Sequence, residues 1–356
     1  MKKYILIFSL ILLASLVVYG ASTDITKRPT SYWLSGNPDR DNAWAWMKFI
    51  DNNVMGPMGT GQVFYVDSGV NIEGAGLTVD SAKDTLLEGI NLCTADRGDV
   101  IYVLQGHYED GVAATAAMWQ ASVSGVSIIG VGNGTLKPRF DYNYTSNTCQ
   151  ITSDNVRVHN LWFRPSVNAV TKGVEVSSGA DYPHITGCTF AYPEEATDEF
   201  AIALQVGTST GAVVENNFFD SGAQAGVTAI TFEAATGLVI RNNRIYGDCS
   251  TACINNAITL SEDVLIEDNI LWNGDTAALK TEPAIEVMAG TVGISRRNYV
   301  ACDESDVASA FVGSLLFNFG NYYSEVQSGT NTAYALDMVA ASSTQFITSV
   351  TAADGE

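Results

Sequence analysis

Val158-His-Asn-Leu-Trp-Phe163 is the first of six copies of one short phrase that decide the fold of this chain. The later copies read Ile185-Thr-Gly-Cys-Thr-Phe190, Val214-Glu-Asn-Asn-Phe-Phe219, Ile240-Arg-Asn-Asn-Arg-Ile245, Ile266-Glu-Asp-Asn-Ile-Leu271 and the looser Ser295-Arg-Arg-Asn-Tyr-Val300. The fourth positions of successive copies are 27, 29, 26, 26 and 29 residues apart. A fixed period within the range of about 20–50 residues indicates a repeat architecture, in which stacked repeats bury a face that one repeat cannot bury alone.

Apolar and polar residues alternate within each copy, which is the periodicity of a β-strand. Val, Ile and Phe dominate the apolar positions, and the 32 glycines of the chain suit many corners between short strands. Each repeat is therefore expected to form one turn of a solenoid. The sequence predicts an all-β fold, a single-stranded parallel β-helix.

Asparagine recurs at the fourth position of the later copies, as Asn217, Asn243, Asn269 and Asn298. Equivalent residues of successive turns in a parallel solenoid lie about 4.8 Å apart. An amide both donates and accepts hydrogen bonds, so stacked asparagines can bond to each other and to the corner backbone. Asparagine also tolerates the left-handed conformation of tight corners. We predict that these residues form a structural ladder.

The chain divides into four segments. We predict a signal peptide at 1–20, an N-terminal cap or linker at 21–61, the β-helix at 62–323, and a C-terminal cap or tail at 324–356. The signal peptide starts with Lys2 and Lys3, and its apolar core from Ile5 to Val18 is too short to span a bilayer comfortably. The sequence therefore predicts an exported protein with no integral membrane segment after cleavage.

Two short helices are predicted outside the repeat. The first covers Asn42–Ile50 and either caps the open end of the solenoid or docks onto a partner. The second opens at Asp80, with Ser81 and Asp84 in the spacing of a capping box. Its apolar face is formed by Leu86, Leu87, Ile90 and Cys93. We therefore expect the β-helix to carry a short helical cap at its N-terminal end.

The charge of the chain is strongly negative, with 39 acidic residues against 18 lysines and arginines and a net charge of −21. Nucleic-acid binding needs a basic stripe against the phosphates, so nucleic acid is excluded as a partner. The same balance disfavours adhesion to anionic membranes or polyuronates unless cations bridge the two. Solubility outside the cell accounts for the acidity.

The six cysteines give one candidate disulfide. Export makes disulfides permissible. Cys249 and Cys253 lie in one loop and could bridge, whereas Cys188 and Cys93 fall at inward positions and are expected to be buried thiols. No Cys or His group has the spacing of zinc ligands.

Four segments near the start of the predicted solenoid carry a resemblance to a known family. They are Phe64-Tyr-Val-Asp67, Gly98-Asp-Val-Ile-Tyr-Val103, Gly106-His-Tyr108 and Val126-Ser-Ile-Ile-Gly130. With the later repeats they resemble right-handed parallel β-helix proteins of the pectate-lyase-like superfamily, and more narrowly its uncharacterised secreted or phage-associated members. The resemblance covers residues 62–323 and implies a right-handed helix. It implies little about activity, because this scaffold carries lyases, hydrolases, adhesins and phage spikes.

A lyase of this superfamily would, by resemblance, pair calcium-binding acids with an arginine or lysine base beside a uronate carboxylate. Asp248, Asp275 and Asp303 follow the ladder asparagines by 5, 6 and 5 residues and can stack in one acidic column, as calcium ligands or catalytic groups. Asp is also a common turn residue for local hydrogen-bonding reasons, so a purely structural role stays open. Arg244 and Arg297 lie near the outward face, but their offsets of +1 and −1 from the ladder do not align.

Three observations weigh against an enzyme. The turns keep a length of 26–29 residues, which leaves few long loops to enclose a substrate. The Asn-Thr-Asp, Asp-Asp, Gly-His-Gly and Arg-Ile-Lys signatures of polygalacturonases are missing. His107, His159 and His184 occupy different phases of the repeat and are expected at corners or on the surface, without converging.

The sequence therefore favours an exported, non-enzymatic β-helix protein, extracellular, on the cell surface or on a virion. It would bind a polysaccharide or cell-surface glycan, or assemble as a homo-oligomer. One alternative is a calcium-assisted polysaccharide lyase or depolymerase acting on a uronate-containing polymer. Another is a purely structural filament or spike subunit.

Overall fold

The structure of the protein is a computed structural model. It describes residues 61–70, 73–112, 117–191, 198–221, 228–247, 249–256, 259–274, 283–301, 311–312, 316–327 and 330–336. The predicted signal peptide, the predicted helix at Asn42–Ile50 and the end of the chain after Leu336 lie outside the described residues. By its backbone contacts the chain divides after Gly61, and the solenoid belongs to the unit that begins at Gln62.

Three sheets, A, B and C, form the walls of the solenoid. Sheet A contains β1 (Val63–Val66), β2 (Val100–Val103), β5 (Ser127–Gly130), β8 (Arg157–His159), β11 (His184–Thr186), β14 (Val213–Glu215), β17 (Val239–Arg241), β20 (Val264–Glu267), β23 (Gly293–Arg296) and β26 (Leu316–Phe319). Sheet B contains β3 (Tyr108–Asp110), β6 (Arg139–Tyr142), β9 (Trp162–Pro165), β12 (Thr189–Ala191), β15 (Phe218–Asp220), β18 (Arg244–Gly247), β21 (Ile270–Asn273), β24 (Tyr299–Ala301), β27 (Asn321–Gln327) and β28 (Thr330–Leu336). Sheet C contains β4 (Ala117–Ala121), β7 (Thr148–Ile151), β10 (Val170–Val176), β13 (Phe200–Val206), β16 (Thr228–Phe232), β19 (Ile254–Asn256), β22 (Ile285–Val287) and β25 (Phe311–Val312).

Strands of successive turns pair in parallel. Ile185 of β11, for example, lies opposite Val158 of β8 on one side and Val214 of β14 on the other. The pair β27–β28 is antiparallel, so β28 folds back on the last turn within the segment predicted as a cap or tail. Because each turn adds one strand to each wall, the protein is a parallel β-helix, and the predicted fold class is confirmed.

A single left-handed residue makes the corner between sheets A and B. The residues at this corner have φ between +53° and +63°, and they are Asn160, Gly187, Asn216, Asn242, Asp268, Arg297 and Gly320. Each lies directly before a ladder position, whereas the left-handed conformation was expected at the ladder asparagines themselves. The corner turns at the preceding residue, and the ladder side chain points inward as a result.

Aromatic side chains fill the early turns of the solenoid. Phe140, Phe163, Phe190 and Phe219 occupy the same inward position of sheet B on successive turns, and all are at most 2% exposed. Their successive ring centroids are 5.9, 5.0 and 4.6 Å apart. Trp119 packs edge-on against the first ring at 6.2 Å. Stacked rings of this kind contribute beyond the apolar area that they bury.

The helix α1 covers Leu86–Asn91, later than the sequence predicted. Thr85, not Ser81, is its N-cap, and a capping box joins Thr85 to Glu88. The helix begins later because Lys83 is still extended and is paired with β1: its N–H donates to Tyr65 O at 2.9 Å. Of the predicted apolar face, Leu86 and Ile90 are buried, Cys93 is half-buried and Leu87 is exposed. In the described part of the chain, no helix has the length and apolarity needed to cross a membrane.

Candidate functional site

The predicted ladder is present at the corner between sheets A and B. The side-chain Nδ2 of Asn217, Asn243, Asn269 and Asn298 each donates to the Oδ1 of the next ladder residue, at 2.9–3.1 Å, and Asn321 extends the series. Each accepting Oδ1 also receives the backbone N–H of the preceding ladder residue, at 2.9–3.1 Å. All five side chains are at most 1% exposed. They support the corners and cannot be reached by a ligand.

The predicted acidic column, Asp248, Asp275 and Asp303, lies outside the described residues. The calcium site and the catalytic role proposed for these residues therefore remain predictions. Among the residues that the structure does describe, no group of three or more His, Cys, Asp or Glu side chains is placed to hold a metal ion.

The two candidate arginines lie apart and have different partners. Arg244 is exposed on the outer face of β18, where its Nη2 donates to Tyr246 Oη at 2.9 Å. Arg297 is the left-handed corner residue before Asn298, and its guanidinium pairs with Asp268 at 2.7 Å and Glu267 at 2.9 Å. The hydrogen bond from Arg297 lowers the pKa of Asp268. The structure does not bring the two arginines together as a catalytic pair.

The candidate disulfide is not formed in this structure. Cys249 and Cys253 are both buried, and Cys249 is a free thiol. Cys188 is buried as expected, and burial raises its pKa to about 11. Burial likewise raises the pKa of the half-buried Cys93 to about 12, so both are unreactive thiols.

His107 lies at the corner between β2 and β3, as expected, and is the one histidine of the three that is fully buried, at 1% exposure. Its Nδ1 accepts the backbone N–H of Ser68 at 2.9 Å, so that nitrogen carries no proton and Nε2 donates to Glu109 Oε1 at 2.8 Å. Glu109 Oε1 also accepts the N–H of Leu86 at 2.6 Å. These bonds tie α1 to the first turn of the solenoid. Glu109 also lines a cavity of about 380 Å³ beside α1.

An outward row of aromatic and basic side chains runs along sheet B. We call this row the aromatic strip, and its members in strand order are Tyr108, Arg139, Trp162, Thr189, Phe218, Arg244, Ile270, Tyr299 and Tyr322. Each pairs in register with the next and alternates with a residue that points into the core. The exposed fraction is 53% for Tyr299, 46% for Tyr322 and 42% for Ile270. Six of the nine members carry an aromatic ring or an exposed aliphatic group on one flat face.

Ring and guanidinium contacts hold the aromatic strip in place. The guanidinium carbon of Arg139 lies 4.6 Å from the ring centroid of Tyr108 and 5.7 Å from that of Trp162. Arg139 also pairs with the buried carboxylate of Asp141 at 3.1 Å. At the other end the rings of Tyr299 and Tyr322 stack at 4.8 Å and 8°. Fixed ring faces next to hydrogen-bond donors are what an amphipathic ligand with apolar faces and polar edges requires.

A second outward row, on sheet A, alternates in charge. Glu215, Arg241, Glu267 and Arg296 are in register on successive strands. Arg241 Nε lies 2.6 Å from Glu215, and Arg296 Nη2 lies 2.6 Å from Glu267. Glu215 also bonds His184 at 2.9 Å. Burial alone would raise the pKa of Glu215, but the hydrogen bonds from Arg241 and His184 lower it. This row is largely self-neutralised.

Both rows were missed at the sequence level, although both had a periodic signal. Six members of the aromatic strip occupy the fifth position of the six-residue phrase. The charged row occupies the second position, where His, Thr, Glu, Arg, Glu and Arg follow one another.

His159 and His184 lie on the surface in different phases of the repeat, as expected, but they were not expected to be neighbours. Thr186 lies opposite His159 and His184 opposite Arg157, so both histidines share one face on adjacent strands. His159 lies two residues before its ladder position and His184 four residues before its own. These offsets differ by an even number, and strand residues an even number of positions apart lie on the same face.

Comparison with known proteins gives a fold neighbour only. No family model matches the chain, and no curated protein matches it. Among solved structures it is similar to an alginate lyase from Paenibacillus sp. str. FPU-7, with a TM-score of 0.51 and 12% sequence identity. The match covers 74% of this chain and 87% of the lyase. At that identity the likeness concerns the β-helix fold.

Proposed function

We propose that this protein is an exported, non-enzymatic β-helix protein that binds a glycan along the aromatic strip. The single observation that carries the proposal is the register of the strip, which places nine outward side chains in one row along sheet B. A polysaccharide is a linear ligand, and a row that crosses nine strands is a linear surface. An exposed apolar row flanked by polar groups is typical of a binding surface.

The chemistry of the strip fits a sugar better than a protein core. Aromatic rings pack against the C–H faces of pyranose rings, while arginine and threonine bond the hydroxyl groups at the ring edges. Arg139 lies between Tyr108 and Trp162. Arg244 lies between Phe218 and the aliphatic Ile270, and Thr189 lies between Trp162 and Phe218.

Glycan binding is tested with the mature chain and a panel of neutral and acidic polysaccharides. Tyr299→Ala is expected to weaken binding about 3- to 10-fold, since an aromatic contact is worth about 0.5–1.5 kcal/mol. A double variant that adds Trp162→Ala should weaken it further. Tyr144→Ala removes an exposed aromatic residue outside the strip and is the matched control. Equal affinities for Tyr299→Ala and Tyr144→Ala would reject the strip as the binding surface.

The alternative function is a calcium-assisted lyase acting through Asp248, Asp275 and Asp303. A lyase is distinguished from a glycan-binding protein by an activity assay. The assay measures, by ultraviolet absorbance, the unsaturated product released from uronate polymers with and without calcium. Calcium-dependent cleavage that Asp275→Ala abolishes would replace the binding proposal with the lyase. A structural filament or spike subunit would instead show no glycan binding and a concentration-dependent increase in mass by light scattering.

A further inference from the structure

Four basic side chains meet where sheet A turns into sheet B, and we call them the cation cluster: Lys137, Arg157, His159 and His184. Arg157 and His159 are two residues apart on β8 and share its outer face, with His184 opposite Arg157 on β11. Lys137 Nζ reaches the same corner and donates to Gly187 O at 3.0 Å. The ring of His159 packs over Gly187, where an added Cβ would lie 3.1 Å from it.

Three members of the cluster lack the counter-charge that other basic residues of this protein have, whereas His184 pairs with Glu215 at 2.9 Å. Arg97, Arg164, Lys172 and the arginines of the charged row all pair with a carboxylate. Among the described residues, no carboxylate lies within 4.0 Å of the charged atoms of Lys137, Arg157 or His159. In a chain of net charge −21, three neighbouring basic residues without an acidic partner are a local exception.

Charges of one sign held close together are unfavourable unless an ion of the other sign joins them. The pKa of His159 is lowered by burial and then by the positive charge of Arg157, Lys137 and His184. Burial also lowers the pKa of Lys137. Arg157 is exposed and the side chain of His184 is 30% exposed, so an anion from solvent can reach the cluster.

The cluster adjoins the aromatic strip directly. Besides its bond to Gly187 O, Lys137 Nζ donates to Thr189 Oγ1 at 2.9 Å, and Thr189 is the strip residue between Trp162 and Phe218. A polymer lying on the strip would therefore carry its substituents past the cluster at this corner.

We propose that the cation cluster is an oxyanion site that receives a carboxylate or sulfate group of an acidic glycan lying on the aromatic strip. This inference rests on the proposed function for the polymer, but the site itself is defined by its own side chains. Arg157 supplies a guanidinium for charge-assisted hydrogen bonds, and His159 adds charge on protonation.

The site is expected to bind more tightly as the pH falls. Besides the cluster itself, the charged groups that face the histidines are Glu215 from β14 and Arg241 from β17; β5 contributes only Ser127 and Ile129. Glu215 stays ionised because its pKa is lowered, so His159 carries the change. The pKa of His159 is itself lowered, and acidification through that lowered pKa therefore increases the positive charge of the cluster.

The first test follows the imidazole protons of the three histidines by NMR in the full mature chain, titrated with inorganic sulfate and, separately, with glucuronate. Either anion should raise the pKa of His159, and Arg157→Gln should abolish the effect. Lys172→Gln removes the same charge from sheet C and is the control. A His159 signal that responds to neither anion overturns the site, and a response to only one identifies the group that it takes.

The second test compares an acidic polymer with its carboxyl-reduced or desulfated form on the same backbone. Arg157→Gln should weaken binding of the acidic form about 10-fold, in the range of a charged hydrogen bond, and leave the neutral form unchanged. If Arg157→Gln behaves as Lys172→Gln does while Tyr299→Ala still loses affinity, the oxyanion site is wrong and the glycan-binding proposal stands. If sulfate still shifts the His159 signal but no polymer binds, the oxyanion site stands and the glycan-binding proposal is wrong.

Discussion

The early and late turns of this β-helix are packed in different ways around the same corner. In the early turns the inward position of sheet B is phenylalanine, and the ladder position holds Leu161 or Cys188. In the late turns the inward position is aliphatic, as at Ile245 and Leu271, and the ladder position is asparagine. The turn that contains both Asn217 and Phe219 is where the two arrangements meet.

The difference shows that the backbone of this corner does not require the asparagine. Asn160 and Asn242 have nearly the same φ, 58° and 54°, although leucine follows one and asparagine the other. What differs is how the turns hold each other. Early turns are joined by stacked rings, and late turns by amide hydrogen bonds and other interior polar groups, such as the bond from Ala235 N to Ser261 Oγ at 3.1 Å.

The largest loss of stability is expected from opening a gap in the aromatic stack. Phe190→Ala removes a buried ring with neighbours at 5.0 and 4.6 Å, and should lower the free energy of unfolding by about 3–5 kcal/mol. The equivalent change in a late turn, Ile245→Ala, removes a smaller side chain and should cost less. Urea denaturation of both variants checks this order. An equal loss in the two would mean that the stacked ring contributes no more than the smaller aliphatic side chain.

Removing one ladder amide should cost about 2–3 kcal/mol. Asn243→Ala leaves the N–H and Nδ2 of Asn217 without their acceptor and Val214 O without its donor, all in the interior. Asn242→Gly, at the exposed corner residue next to it, keeps the left-handed conformation and is the control, expected within about 0.5 kcal/mol of wild type. The same denaturation measurement applies. A ladder variant as stable as the control would show that these hydrogen bonds only replace hydrogen bonds to water and add no net stability.

The smallest effect is expected from extending the ladder into the aromatic turns. Cys188 N already donates to Asn217 Oδ1 at 2.9 Å, and its Sγ lies 4.0 Å from Val158 O, the carbonyl that an asparagine would bond. Cys188→Asn should therefore change the free energy of unfolding by less than about 1 kcal/mol. Leu161→Asn, one turn earlier, has no asparagine opposite it and should cost more. If both cost the same, the boundary at Asn217 reflects packing volume rather than the ladder.

The fold and the ladder could be predicted because they repeat by residue type. Asn217, Asn243, Asn269 and Asn298 recur at almost constant spacing, and the spacing alone implies stacking. The aromatic strip was missed because its residue type changes at almost every turn, although six of its members share the fifth position of the repeated phrase. The start of α1 was missed because a long-range bond from Lys83 to β1, which leaves no local pattern, holds the preceding residues extended.

The amide ladder also has a direction. One hydrogen of each Nδ2 from Asn217 to Asn298 donates to the next turn and the other to a backbone carbonyl of the preceding turn. Each accepting Oδ1 faces the preceding turn, so the amide groups share one orientation and their dipoles add along the axis as peptide dipoles add in a helix. At the end of the ladder, Asn321 Nδ2 donates to Ser295 O and Asn318 Oδ1. The column is therefore electrically polar, and a turn grafted onto its C-terminal end in the reverse orientation would meet donor with donor. Repeats of this kind can be lengthened, shortened or exchanged only head to tail.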